Sequence, residues 1–89
     1  MPARIIFSPR AENRVEAELI FLSERSLDAA DRLLRRIEAA CRQLVDFPQS
    51  APRGQTPGTR RLILSPYVLT YRPRGGIIEI IDFRHGRQS

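Results

Sequence analysis

Residues 26–48 read SLDAADRLLRRIEAACRQLVDFP, and this segment carries the clearest helical pattern in the chain. Ser26 is suited to the N-cap position, and Phe47-Pro48 ends the pattern. Between these ends, apolar residues recur at the spacing that lines one face of an α-helix: Ala30, Leu33, Leu34, Ile37, Ala40, Cys41, Leu44 and Val45. We therefore predict an amphipathic helix whose apolar stripe packs on the core.

The segment before it predicts one strand and a second helix. Residues 4–7 form a short β-branched and aromatic run, typical of a strand. Ser8 and Pro9 then favour a helix start, which predicts a helix over residues 9–24. Its apolar positions, at helical spacing, are Ala11, Val15, Leu19 and Leu22. Two helices joined by a short linker suggest an antiparallel helical hairpin.

The segment after it predicts a long loop and three strands. Residues 48–59 contain three prolines and two glycines and are expected to be a loop. Strand-like runs follow at residues 61–64, 67–72 and 77–83, with a hairpin turn at 73–76 and a basic tail at 84–89. The expected fold is α+β, in the order β-α-α-β-β-β, with the helical hairpin packed on a small antiparallel sheet.

Length and composition narrow the classes of protein. The 89 residues suit one domain, residues 1–89, and 42 % hydrophobic residues are ordinary for a globular chain. The sequence shows neither a membrane-spanning run nor a signal peptide, so a cytoplasmic protein is expected. Cys41 is the only cysteine and His85 the only histidine, which are too few ligands for a structural zinc site. No metal or cofactor is expected.

The charge points to an acidic partner. All fifteen basic residues are arginine, and the formal net charge is +5. Guanidinium groups bind carboxylate and phosphate oxygens and stay protonated at any usable pH. The partner can be a protein or a nucleic acid, and charge alone does not distinguish them.

Few residues suggest catalysis. Cys41 lies on the apolar stripe of the second predicted helix, so it is interpreted as a core residue. His85 is either an exposed or capping residue or a general acid/base, and no carboxylate is visibly placed to orient it. Sheet pairing could gather Arg60, Arg61, Arg72 and Arg84 on one surface, although a scattered solubilising set is an equal alternative.

Several segments, in their order and spacing, resemble the ParE/RelE superfamily of bacterial toxins from toxin–antitoxin pairs. The segments are residues 5–11, 44–48, 59–61, 67–72 and 80–87, which together extend over nearly the whole chain. The resemblance implies two helices on a small antiparallel sheet, in agreement with the element order predicted from the residues. It also implies a cognate antitoxin and a possible hetero-oligomer with it.

The superfamily has two branches with different targets. RelE-like members cut messenger RNA on the ribosome, and ParE-like members poison DNA gyrase. RNA-cutting members usually place an arginine at the third-strand position held here by Val68, and valine cannot neutralise a phosphate. The strand from Tyr67 to Tyr71 and the ending Arg84-His85-Gly86-Arg87 resemble ParE. The resemblance therefore favours a gyrase inhibitor without catalysis, with a ribosome-dependent endoribonuclease or an inactive basic binding module as alternatives.

Each of these functions assigns residues. In a gyrase inhibitor, the target-binding residues are expected to be Arg60, Arg61, Arg72, Arg84, His85 and Arg87. In an endoribonuclease, the phosphate clamp and acid/base group would come from Arg60, Arg61, Arg84 and His85. A small acidic antitoxin is expected to wrap the helical hairpin and a sheet edge, contacting Val15, Leu19 and Leu22.

Overall fold

The computed structural model describes residues 3–86, and these form two helices and four strands. The elements along the chain are β1 (Arg4–Phe7), α1 (Pro9–Ser23), α2 (Leu27–Asp46), β2 (Arg60–Leu64), β3 (Tyr67–Arg74) and β4 (Ile77–His85). This order confirms the predicted α+β class. The last two strands are longer than predicted, so the turn contracts to Gly75-Gly76, and Arg84 and His85 belong to β4 rather than to a tail.

Both helices begin at serine caps, as the sequence predicts. The Ser8 hydroxyl oxygen accepts a hydrogen bond from the Ala11 amide at 3.1 Å, and Pro9 occupies the first turn of α1. Ser26 accepts from the Ala29 amide at 3.2 Å at the start of α2. Each cap satisfies an amide that has no partner within its own helix, which fixes where the helix starts.

The buried face of α2 contains fewer residues than the apolar stripe predicted from the sequence. Leu33, Ile37, Ala40 and Leu44 are buried, whereas Leu34 is 41 % exposed. Adjacent helical residues point about 100° apart, and here Leu33 faces the core while Leu34 points away from it. The placement of Leu34 in the predicted stripe is therefore wrong. Cys41 is half-buried and packs against the core, as predicted, and burial raises the pKa of its thiol.

The four strands form a mixed sheet in the order β1-β4-β3-β2. β2 pairs with β3 and β3 with β4 in antiparallel register, as predicted, but β1 pairs with β4 in parallel. β1 and β2 consequently run in the same direction. The helices α1 and α2 connect these two strands. Such a helical connection favours strands of the same direction, because it returns the chain to the end of the sheet at which β1 begins.

The pairing of β3 with β4 has a register shift between Thr70 and Tyr71. The shift changes which residues of β4 point to each face of the sheet. Ile80 pairs with Tyr71 and Asp82 pairs with Thr70, so Ile81 is the extra residue. The shift explains how Ile78, Ile80 and Phe83 are all buried although their spacing is not strictly alternating. It also explains how Asp82, which interrupts an apolar run, reaches the polar face.

The core lies between the two helices and one face of the sheet, in two adjoining clusters. The first contains Ala11, Leu44, Ala51, Leu69, Tyr71, Ile78 and Ile80. The second contains Leu33, Ile37, Tyr67 and Phe83, with half-buried residues of α1 packed against it. The opposite face carries Arg61, Thr70, Asp82 and Arg84 in neighbouring register positions, and we call it the open face. Neither described helix has the length and apolarity needed to cross a membrane.

Candidate functional site

A basic cleft lies on the open face, with Arg61, Thr70 and Asp82 side by side across three strands. The cleft has a volume of about 390 Å³ and is lined by Arg10, Gln55, Thr56, Thr59, Arg61, Thr70, Ile81, Asp82 and Arg84. Three of these residues are arginines and three are threonines. Such a lining offers many hydrogen-bond donors to an anionic surface.

Asp82 connects α1 to this cleft. Its Oδ1 accepts a hydrogen bond from Arg14 Nη1 at 2.7 Å and lies 3.8 Å from Arg10 Nε. The same oxygen accepts from the Phe83 amide at 2.9 Å. Asp82 thereby holds two helical arginines beside the sheet, while their side chains stay 66 % and 41 % exposed for Arg10 and Arg14.

A second cleft, of about 430 Å³, adjoins the first through Arg84. Tyr67 lies in it, and its hydroxyl donates to Glu18 Oε2 at 2.5 Å. The Tyr67 ring stacks on Phe83 with centroids 4.9 Å apart, and the His85 ring meets it edge-on at 5.8 Å. Burial, followed by the Glu18 contact, raises the pKa of Tyr67 to about 12. Tyr67 is therefore a protonated donor at neutral pH and unsuited to act as a base.

The structure separates the arginines that the sequence groups together. Arg61 and Arg84 line the same basic cleft, and Arg72 lies on the open face with its Nη1 3.8 Å from Glu79 Oε1. Arg60 instead donates from Nη1 to the carbonyls of Ala51, at 2.7 Å, and Gln49, at 3.2 Å. Arg60 therefore holds the loop before β2 in place. Arg87 lies outside the described residues.

The predicted antitoxin-contacting residues are also divided. Val15 and Leu19 line an apolar groove of about 280 Å³ together with Phe7, Glu12 and Glu16. Leu22 is half-buried and packs against the second core cluster, outside that groove.

Sequence reasoning missed the helical side of the basic cleft. Arg10, Arg14 and Asp82 are not among the site residues predicted from the sequence. A signal was present, because the two arginines are four residues apart and share one side of a helix. A carboxylate within an apolar strand run is a suitable partner for such a pair.

The sequence matches a family model over residues 5–89, and that family is described as the ParE toxin of the type II toxin–antitoxin system parDE. The chain belongs to the ParE toxin family. Among residues 3–86, this ParE-family chain has no group of three or more histidine, cysteine, aspartate or glutamate residues that could hold a metal ion.

Two similar proteins are named as toxins, and a solved chain of similar fold comes from a ParDE system. The chain is 32 % identical over 88 residues to "Putative toxin Y4kP" of Sinorhizobium fredii, covering 97 % of this chain and 91 % of that protein. It is 24 % identical over 83 residues to Toxin RelE2 of Caulobacter vibrioides, covering 93 % and 94 %. A solved chain from the chromosomal ParDE system of P. aeruginosa shares the fold, with a TM-score of 0.76 at 20 % identity and coverage of 93 % and 95 %.

Proposed function

We propose that this chain is a toxin that inhibits DNA gyrase by direct binding and that a cognate antitoxin neutralises it. The observation that carries the proposal is the composition of the open face. Arg61 and Arg84 line a basic cleft there together with Arg10. Asp82 contacts both Arg10 and Arg14 and holds them beside the cleft. Arginine side chains that are exposed (Arg10, Arg14) or partly exposed (Arg61, Arg84) suit an acidic or DNA-bearing partner without any bond being made or broken.

The candidate catalytic groups support an inhibitor more than an enzyme. Val68 is 5 % exposed and pairs with Arg84 in the sheet, so an apolar side chain occupies the strand position expected to hold an arginine in RNA-cutting relatives. Tyr67 is held by Glu18, and its raised pKa of about 12 removes it as a base. Proton transfer would then depend on His85, whose ring lies edge-on to Tyr67.

Gyrase is a cytoplasmic enzyme, so the proposed site of action is the cytoplasm. Family membership supports a partner antitoxin, because a type II toxin is one component of a two-protein system. The groove that contains Val15 and Leu19 is the part of the helical hairpin best suited to receive it. A toxin–antitoxin hetero-oligomer follows from this proposal.

The deciding experiment compares two assays on the purified chain. DNA supercoiling by gyrase should fall as the chain is added, and messenger RNA on translating ribosomes should stay intact. Arg35→Gln serves as a control, because Arg35 is an exposed α2 residue paired with Asp31 at 2.8 Å, away from the basic cleft. Unchanged supercoiling at saturating chain concentration would contradict the proposal.

A ribosome-dependent endoribonuclease is the second candidate. Similarity to Toxin RelE2 and the proximity of Arg84 and His85 at the second cleft favour it. In that case Arg61 and Arg84 would bind the scissile phosphate and His85 would transfer the proton. Messenger RNA cleavage with normal supercoiling would select this candidate. Inactivity in both assays would select an inactive basic binding module.

A further inference from the structure

Ile63 is an exposed apolar residue within the arginine-rich open face. Leu62 and Leu64 pack against the core clusters, so strand alternation directs Ile63 to the opposite face of β2. There Ile63 is 57 % exposed. Single exposed apolar residues are common on protein surfaces, so this exposure alone does not mark a site. The neighbours of Ile63 distinguish it from the others.

Two arginines flank Ile63 on the open face. Arg61 lies two residues earlier on β2, about 7 Å along the strand. Ile63, Val68 and Arg84 occupy one row across β2, β3 and β4, which places Arg84 about 10 Å from Ile63. Val68 is buried beside Gly86, where an added Cβ would lie 3.7 Å from Val68 Cγ2. Ile63 is therefore the exposed apolar residue of this row.

The positive charge beside Ile63 is open to a partner. Within residues 3–86, no carboxylate pairs with the Arg61 guanidinium. Asp82, the acidic residue of the basic cleft, already contacts Arg14 at 2.7 Å and Arg10 at 3.8 Å. An anionic group of a partner can therefore approach Arg61 without displacing a carboxylate of the chain itself.

The backbone of Ile63 is also accessible from the edge of the sheet. The Arg61 amide points away from β3, because it donates to the Pro52 carbonyl at 2.9 Å. Strand geometry alternates, so the amide and carbonyl of Ile63 point the same way. β2 ends at Leu64, one residue later. This edge consequently offers a partner one amide and one carbonyl, and most of the contact must come from side chains.

A protein surface fits this arrangement better than DNA does. A phosphate backbone can bind Arg61 and Arg84, but it places charged oxygens where Ile63 needs an apolar group. Protein interfaces instead bury an apolar side chain at their centre and surround it with polar and charged groups. Ile63 between two arginines has this composition.

We infer that Ile63 is the apolar anchor of the target interface, and that it binds a protein surface of gyrase on which an apolar side chain is flanked by carboxylates. The apolar side chain covers Ile63, and the carboxylates pair with Arg61 and Arg84. This inference rests on the proposed function, because it takes gyrase as the target. It goes further by selecting the acidic protein surface over gyrase-bound DNA, two partners that arginines alone would bind.

Binding titrations with two separate probes test the inference: purified gyrase without DNA, and a short DNA duplex without gyrase. Ile63→Thr should bind gyrase about tenfold more weakly, because the apolar contact at the centre of the interface is lost. Threonine keeps the β-branched shape that suits a strand, and thermal unfolding checks that the variant folds. Ile63→Val should lose only about two- to threefold, since most of the apolar surface remains.

Leu27→Ser is the matched control, because Leu27 is an exposed apolar residue at the start of α2, away from the open face. It should bind gyrase like wild type. The duplex should bind weakly, with the same affinity for wild type and Ile63→Thr. Hydrogen exchange should also slow at the Ile63 amide when gyrase without DNA is bound.

Three results would overturn the inference: equal gyrase affinity for wild type and Ile63→Thr, binding to gyrase only when DNA is present, or duplex binding as tight as gyrase binding. Supercoiling measured on the same samples separates this failure from failure of the proposed function. Inhibition that persists unchanged in Ile63→Thr would contradict the inference alone. Unchanged supercoiling together with no binding to gyrase would overturn both.

Discussion

At the scale of single residues, Asp82 joins elements that are far apart in sequence. Its Oδ1 contacts Arg14, Arg10 and the Phe83 amide. A single carboxylate oxygen therefore positions the start of α1 against the C-terminal half of β4. The Asp82 side chain is only 23 % exposed, which shields these contacts more than a surface ion pair.

Asp82→Asn is expected to lower the free energy of unfolding by about 1 kcal/mol, because the charge-assisted contact to Arg14 becomes a weaker neutral one. Urea unfolding monitored by circular dichroism measures the change. Asp31→Asn is the control, since its partner Arg35 is exposed and the pair lies four residues apart on α2. Equal unfolding midpoints for the two variants would show that Asp82 has no special structural role.

Tyr67 gives a prediction about alkaline pH. Its folded pKa, about 12, lies above the ordinary value of 10.0 because of burial first and the Glu18 contact second. Between pH 10 and 12 the unfolded chain loses this proton before the folded chain does, so stability falls as pH rises. Below pH 10 the stabilisation is complete.

Tyr67→Phe should therefore make the decline of stability with rising alkaline pH shallower. At pH 7 it should cost about 1 kcal/mol through the lost hydrogen bond to Glu18. Urea unfolding from neutral to alkaline pH measures both effects. Tyr71→Phe is a useful comparison, because the pKa of Tyr71 is also raised, by burial, and its hydroxyl bonds to the Pro48 carbonyl. An unchanged slope in Tyr67→Phe would contradict the prediction.

At the scale of secondary-structure elements, α2 supplies most of the helical contribution to the core. Leu33, Ile37 and Leu44 are each less than 5 % exposed. Truncating one of them to alanine should cost about 2–5 kcal/mol, through lost burial and an unfilled cavity. This is much of the total stability of a small domain. Leu34→Ala is the matched control, and its cost should be small because Leu34 is 41 % exposed. Thermal unfolding of the four variants tests the assignment.

Cys41→Ala separates packing from chemistry on the same helix. Cys41 is half-buried against the second core cluster, and the removed thiol is small, so the loss of stability should be much less than for Leu33. Growth arrest on expression in bacteria should persist. A folded Cys41→Ala chain without growth arrest would show that the thiol has a functional role.

The elements differ in how far sequence alone determines them. The helices are predictable because Ser8, Ser26 and the apolar spacing act locally. The parallel pairing of β1 is not, because it depends on where two helices return the chain. The extended ends of β3 and β4 escape prediction because Pro73 and Arg84 resemble turn and tail residues, whereas cross-strand pairing stabilises them there.

The candidate site was predictable only in part. The sequence suggests that Arg61 and Arg84 share a surface, but Arg84 reaches the open face only through the register shift at Ile81, which strict strand alternation does not predict. Arg60 is directed to the carbonyls of Ala51 and Gln49, and no local pattern reveals that contact. The cleft also needs Arg10 and Arg14, whose contribution depends on the docking of α1 beside Asp82.

At the scale of the whole molecule, two surfaces of opposite character lie on one small domain. The open face is rich in arginine, and the groove beside β1 contains apolar residues and glutamates. A target and an antitoxin could therefore use different chemistry on the same chain. Neutralisation would then come from the antitoxin covering the target surface or competing sterically, rather than from both partners sharing one set of contacts.

The pattern of losses across the arginines should distinguish inhibition from catalysis. If the chain inhibits gyrase by binding, contact energy is spread over Arg61, Arg84 and Arg87, and each change to glutamine should weaken inhibition several-fold, with marked sensitivity to salt. His85→Ala should likewise reduce inhibition only partly. Arg60→Gln should act differently, by loosening the loop that its guanidinium holds and lowering stability.

A nuclease would give a different pattern, because one group must transfer the proton and one must stabilise the phosphate. Loss of either would lower the cleavage rate by ~100-fold or more. Titrating each variant in supercoiling and ribosome-dependent cleavage assays, at two salt concentrations, measures both patterns. We expect graded, salt-sensitive losses of gyrase inhibition, with DNA damage signalling in cells. The enzymatic alternative would be established if the chain cleaved messenger RNA, His85→Ala abolished this cleavage, and gyrase supercoiling were unaffected. A single titratable group would then control the activity, which binding contacts distributed over a surface cannot explain.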